Sequence, residues 1–267
     1  MIGFFDSGFG GLTVLKAVLQ EMPEYDYIYL GDNARAPYGG RSQEVIYQYT
    51  REAVDFLFSH GASLIVIACN TASSMALRRI QQEYLPAKYP GKNVLGVIRP
   101  LAENIVRDKK LKRVGVIGTR ATIESDVYPI EIHKLNQEME VLQNAAPILV
   151  PLIEEGWSKK AETRMILRKY LRPLKEQKVQ SLILGCTHYP LLLKEMQNIM
   201  GARCRVCNPG DVVAKSLREY LTRHPEYNLQ KNSKIRKFYI TDSVERFKLL
   251  GEKFLGEKMV LVEKISL

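Results

Sequence analysis

"LILGCTHYPL" (residues 182–191) has a near-copy upstream, "LIVIACNTAS" (residues 64–73). Each is an apolar run closed by a small residue, then a cysteine and two polar residues. Side chains that are apolar at successive positions suit a strand covered on both faces, as in a parallel sheet. A second pair is related in the same way: "IGFFDSG" (2–8) and "VGVIGTR" (114–120) are both apolar strands running into a turn of small residues. Both separations are roughly 115 residues, so the chain is predicted to hold two related units, each with a thiol at the carboxyl end of a strand.

Working outward, further strand-like runs are "YIYL" (27–30), "NVLGVI" (93–98) and "RVGVIG" (113–118). Between the runs lie longer amphipathic segments: "GLTVLKAVLQEM" (11–22), "SQEVIYQYTREAVDFLFSHG" (42–61) and "TASSMALRRIQQEYL" (71–85). The alternation predicts two pseudo-symmetric α/β domains with mainly parallel sheets and a site in the cleft between them. The boundary is expected near "GVIRPLAEN", where a strand meets Pro100. After Gly201 come "CRVCNPGD", a helix-like "VVAKSLREYL", a polar stretch (224–237) and a strand, helix and strand ending. This tail is too short for a third domain. The expected division is therefore 1–98 plus 208–267 for the first domain and 99–207 for the second.

The 267 residues, 46% of them hydrophobic, are enough to bury a sizeable core. No apolar run approaches the roughly 20 residues of a membrane span, and the start "MIGFFDSGFGG" is unlike a signal peptide, so a cytoplasmic protein without membrane contact is expected. Four cysteines (Cys69, Cys186, Cys204 and Cys207) are expected to be free thiols. The net charge of +10 is spread over helix faces and polar connections, without zinc-finger spacing or interleaved aromatics. It fits attraction of a small anionic substrate, and no nucleic-acid partner is required.

Open α/β sheets bind ligands at the carboxyl ends of their strands. Five polar stretches fall there: Asp6 to Gly8, Arg35 to Gly40, Cys69 to Thr71, Thr119 to Thr122, and Cys186 to His188. Helices starting after Asn70, Thr119 and Thr187 would aim free N–H groups at such a cleft, favouring carboxylates and lowering a thiol's pKa. One cysteine would suit a nucleophile or plain packing. Two pseudo-equivalent ones suit inversion at a carbon with an acidic hydrogen: one thiolate removes the proton while the opposite thiol donates one to the other face.

Each candidate has a plainer role to set beside the chemical one. A cysteine is a common small core residue. His188, two positions after Cys186, is either its activating base or a satisfied buried histidine. Asp6 assists proton transfer or grips an ammonium group, or it is a turn residue. Tyr38 is a site residue or a packed ring in a turn, and Glu154-Glu155 a helix start or a catalytic support. "DSGFGG" lacks the lysine of a phosphate loop. Cys204-x-x-Cys207 lacks the partners of a zinc site, so packing near the surface is expected there. His60, His133 and His224 are taken as surface or structural.

Taken together, "FDSGFGGLTVL", "YLGDNARAPYGGRS", "ACNTAS", "GVIGTRATIES", "VPLIEEG" and "LILGCTHYPLL" resemble the bacterial glutamate racemases of the cofactor-independent aspartate/glutamate racemase superfamily. The resemblance runs from residue 2 to about residue 195. It implies interconversion of L- and D-glutamate, with Cys69 working on D-glutamate and Cys186 on L-glutamate. Asp6 and His188 would assist them. Asp6, Ser7, Tyr38, Gly39, Asn70, Thr71, Thr187 and His188 would hold the substrate, with Glu154, Thr119 and Thr122 as further candidates. It also implies no cofactor and no metal, a homodimer, and D-glutamate supplied to peptidoglycan. Rival readings are a racemase for aspartate or a related small dicarboxylate, a Cys-His hydrolase using Cys186, which would leave Cys69 unexplained, and an amino-acid-binding module.

Overall fold

The computed structural model describes residues 1–227, 229 and 234–267, so part of the polar stretch at 224–237 lies outside the described residues. Ten strands are found among them: β1 (Ile2–Asp6), β2 (Tyr27–Gly31), β3 (Leu64–Ile67), β4 (Asn93–Gly96), β5 (Arg113–Gly118), β6 (Glu140–Ala145), β7 (Ser181–Gly185), β8 (Arg205–Val206), β9 (Arg236–Ile240) and β10 (Val262–Lys264). They form two sheets, and every pairing is parallel. The first runs β10-β9-β2-β1-β3-β4 and the second β6-β5-β7-β8. The internal order β2-β1-β3-β4 thus recurs as β6-β5-β7-β8. That recurrence is the structural form of the repeat seen in the sequence.

The central strands β1, β2, β3 and β7 are buried at every position. They read as unbroken apolar runs because helices cover both faces of each sheet. The edge strand β6, "EVLQNA", is only half-buried. It carries no apolar run, and sequence pattern alone passes over it. The C-terminal strand β9 pairs with β2, so the tail joins the sheet built by the N-terminal strands.

Helix starts follow local chemistry. Ser42 caps the helix Gln43–Ser59 by accepting from Val45 N, and Ser243 caps Val244–Leu255 by accepting from Arg246 N. The segment expected as one helix over 71–85 is instead broken into Asn70–Met75, Leu77–Arg79, a wide π turn Ile80–Tyr84 and Leu85–Lys88. Pro100 lies in the first turn of the helix Ile98–Arg107, a position that costs no backbone donor.

One cluster of buried apolar side chains runs from Phe4, Tyr29 and Phe247 at the first sheet to Leu171, Leu182 and Leu184 at the second. Each such side chain contributes about 1.5–3 kcal/mol of burial. A core that is continuous across the two sheets holds their strand ends face to face. Among the described residues no helix is long and apolar enough to cross a membrane.

Candidate active site

Between the sheets lies a cleft of about 250 Å³ whose wall includes both Cys69 and Cys186. Asp6 ends β1, Cys69 follows β3, Thr119 follows β5 and Cys186 follows β7. Because β1 neighbours β3 and β5 neighbours β7, each sheet brings two strand ends to the cleft. Sequence periodicity therefore delivers the thiols to one place. Ser7, Tyr38, Gly39, Asn70, Thr71, Thr187 and His188 line the same space, as do Thr119 and Glu154. A larger cavity, about 760 Å³, opens behind the helix Asn70–Met75 and contains neither thiol.

Cys69 caps that helix, its sulfur accepting from Ala72 N at 3.4 Å, and lies 3.4 Å from Ser7 Oγ. A helix N-terminus alone lowers a thiol's pKa. The opposite holds: burial first, and the nearby Asp6 charge second, push the Cys69 thiol up to about 12, outweighing the hydrogen bonds. Cys69 at rest is a protonated thiol.

Around Cys186 the chemistry differs. Its sulfur lies 3.9 Å from His188 Nδ1, and His188 Nε2 meets Glu154 Oε1 at 2.8 Å. Burial disfavours a charged imidazole, yet the bonds and charges of Cys186 and Glu154 outweigh it and hold His188 up at about 10. A cation therefore sits beside this sulfur at neutral pH. Glu154 closes the helix Leu149–Glu154 rather than starting one, which carries its carboxylate to His188.

Asp6 does not line the cleft. It is fully buried beneath it, accepting from Gly8 N at 2.9 Å and from Thr187 Oγ1 at 3.3 Å. Burial raises its pKa, against the His188 charge and these bonds. Thr13 Oγ1 donates to Thr187 O at 2.8 Å, a second tie between the halves. Gly10 makes this approach possible: a Cβ there would lie 2.2 Å from Thr187 Oγ1 and 2.5 Å from His188 Nδ1.

Tyr38 lines the cleft, and its hydroxyl donates to the buried Asp32. Arg35, in the same loop, pairs with Asp32 and Glu52. Thr71, Thr119 and Thr122 form a hydroxyl cluster, with Thr71 to Thr119 and Thr119 to Thr122 both at 2.9 Å. Thr122 is buried behind the other two.

Asn33, Asp242, Ser243 and Arg246 also line the cleft and were not foreseen. The last three come from the loop and helix after β9, and only the pairing of β9 with β2 carries them there. Cys204 and Cys207 are buried rather than near the surface, and they pack in separate apolar clusters. All four cysteines are free thiols. His60 stacks on Phe56, His133 meets Met139 O and His224 meets Glu226, all away from the cleft. Among the described residues no group of three or more metal-ligating side chains converges.

Comparison with known proteins agrees with this geometry. A family model described as Asp/Glu/Hydantoin racemase matches residues 12–217. The glutamate racemase of Chlorobaculum parvum is 38% identical over 266 residues, covering 100% of this chain and 96% of that protein. A solved glutamate racemase from Francisella tularensis, in complex with D-glutamate, superposes with a TM-score of 0.89 at 34% identity, covering 99% of this chain and 97% of that one. One from Bacillus anthracis gives 0.90 at 32% identity, covering 100% and 97%.

Proposed function

The chain belongs to the glutamate racemase family, within the Asp/Glu/hydantoin racemases, and on that premise we propose that it interconverts L- and D-glutamate without a cofactor. The observation that carries this is the pair of buried free thiols lining one cleft, each at the end of an equivalent strand of a different sheet. In the proposed reaction one thiolate takes the α-hydrogen: the C–H bond breaks, an S–H bond forms and the electron pair stays on the α-carbon. The opposite S–H then delivers its proton to the other face. The two sulfurs exchange protonation states, and the reverse reaction starts from the exchanged form.

We assign the resting thiol to Cys69, which leaves Cys186 to take the α-hydrogen of L-glutamate in this reading. His188 and Glu154 support Cys186, and Asp6 supports Cys69. Ser7, the Tyr38–Gly39 backbone, Asn70, Thr71 and Thr187 offer donors to the two carboxylates. Preorganised donors of this kind, with the retained ammonium charge, stabilise the carbanion where no electron sink is present.

The same reading puts the protein in the cytoplasm as a homodimer, with domains 1–98 plus 208–267 and 99–207, making D-glutamate for peptidoglycan and hence for cell-wall assembly and cell shape. A circular-dichroism assay on L-glutamate, D-glutamate and both aspartate enantiomers checks the substrate. Glutamate should lose its optical activity from either side, and a preference for aspartate would refute the assignment.

A further inference from the structure

We infer that Tyr128 is a positioning residue for both halves of the site, its hydroxyl orienting the Asn70 amide and its ring seating the Cys186 turn. This rests on the racemase reading above. Tyr128 belongs to the helix Val127–His133 and is 0% exposed. Its hydroxyl donates to Asn70 Oδ1 at 2.7 Å, a buried bond between residues 58 apart in sequence. Asn70 is the residue after Cys69, and it stands on the cleft wall.

An asparagine amide can present either its oxygen or its NH2 group to a ligand, because the terminal torsion has two comparable wells. Here the choice is made by the phenol. Burial pushes its pKa up, so the proton stays on oxygen, and that proton needs an acceptor. Asn70 Oδ1 is its hydrogen-bond partner. With the oxygen so engaged, the NH2 group is left for the cleft, and a carboxylate can only accept. A phenylalanine would fill the same core space, and it would leave the amide free to turn its oxygen toward the substrate.

The ring of the same residue reaches the other half. A Cβ on Gly185 would lie 3.2 Å from Tyr128 Cε2 and 3.1 Å from Ile117 O. Gly185 immediately precedes Cys186, so the turn that carries the second thiol is seated directly against this ring. One side chain thus touches the neighbours of both thiols.

The test is a double-mutant cycle on Tyr128 and Asn70, with KM and kcat measured in both directions. Tyr128→Phe keeps the ring and loses the hydroxyl. KM for both glutamate enantiomers should rise about tenfold, the size of one hydrogen bond to a charged group, while kcat falls less than threefold. In an Asn70→Ala background the same substitution should leave KM where Asn70→Ala alone put it. Tyr128→Leu, which also removes the ring, should lower kcat about tenfold further; should it fail to fold, the cycle with Tyr128→Phe decides alone. An unchanged KM in Tyr128→Phe, or an effect that persists undiminished without the Asn70 amide, overturns the role given to Tyr128. A wild-type chain that racemises neither enantiomer overturns the racemase reading and this inference with it.

Discussion

The two thiol-bearing halves share a strand order and differ in what surrounds the sulfur. In the Cys69 half, burial first and the nearby Asp6 second hold the sulfur protonated. In the Cys186 half, a charged His188 stands beside the sulfur, held so by Cys186 and then by Glu154. Duplication supplies two equivalent positions, and the surroundings then make them unequal. An inverting enzyme needs this inequality, because at any moment one sulfur must be an acid and the other a base.

Breaking either half should have the largest effect. Cys69→Ala and Cys186→Ala should each lower racemisation in both directions by about 10⁴-fold, the upper range for a general acid or base. Near-wild-type turnover from either variant in a polarimetric assay would remove the need for two bases.

The supporting groups should sharpen the comparison. His188→Asn and Asp6→Asn are expected to cost about 10²-fold each. Because the equilibrium constant is 1, kcat/KM must fall equally in the two directions, and the inequality should appear in kcat and in α-hydrogen exchange: His188→Asn should slow removal of the α-hydrogen from L-glutamate most, and Asp6→Asn that from D-glutamate. Rates of α-hydrogen exchange measured from each enantiomer check this. Equal losses of exchange in both directions would mean that the halves are not chemically distinct.

Contact between the halves is the next thing to break. Gly10→Ala forces a methyl against Thr187 and His188. It should destabilise the fold by about 1–3 kcal/mol in urea titrations, the usual cost of overpacking.

The comparison also predicts how stability depends on pH, without any loss of activity at neutral pH. His188 titrates at about 10 in the folded chain, against 6.5 for the unperturbed residue. A folded value raised in this way contributes stability that is fully present below pH 6.5 and is lost as pH rises toward 10. Cys69 begins to act in the same sense only above its ordinary value of 9.0. The unfolding free energy from urea titrations should therefore fall between pH 6.5 and 9, by at most about 3 kcal/mol. The fall should flatten in His188→Gln.

Much of this was legible in the sequence where burial on both faces writes an unbroken apolar run, as in β1, β3, β5 and β7. The candidate residues sit at the ends of those runs, so locating the strands also located Asp6, Cys69, Thr119 and Cys186. Where an element is half-buried the signal fades. Gln143 and Asn144 interrupt β6, and β8 is only two residues long. Tertiary contacts left no local trace at all. Nothing in "SDVYPIEIH" shows that Tyr128 bonds Asn70, nothing near Tyr38 shows that its hydroxyl is engaged by Asp32, and Arg246 reaches the cleft only because β9 pairs with β2. The raised pKa of Cys69 is hidden for the same reason: a helix start is visible in sequence, while the burial and the nearby Asp6 that overcome it are not.

The most direct test of two unequal bases is to place the purified protein, with its thiols reduced, in D₂O with each glutamate enantiomer in turn. The α-proton is followed by NMR and the optical activity by circular dichroism, early in the reaction. Two bases predict that both signals fall together and that deuterium appears in the product enantiomer before it appears in recovered substrate. Deuterium entering substrate and product equally from the start, or optical activity lost with the α-proton retained, would contradict the account.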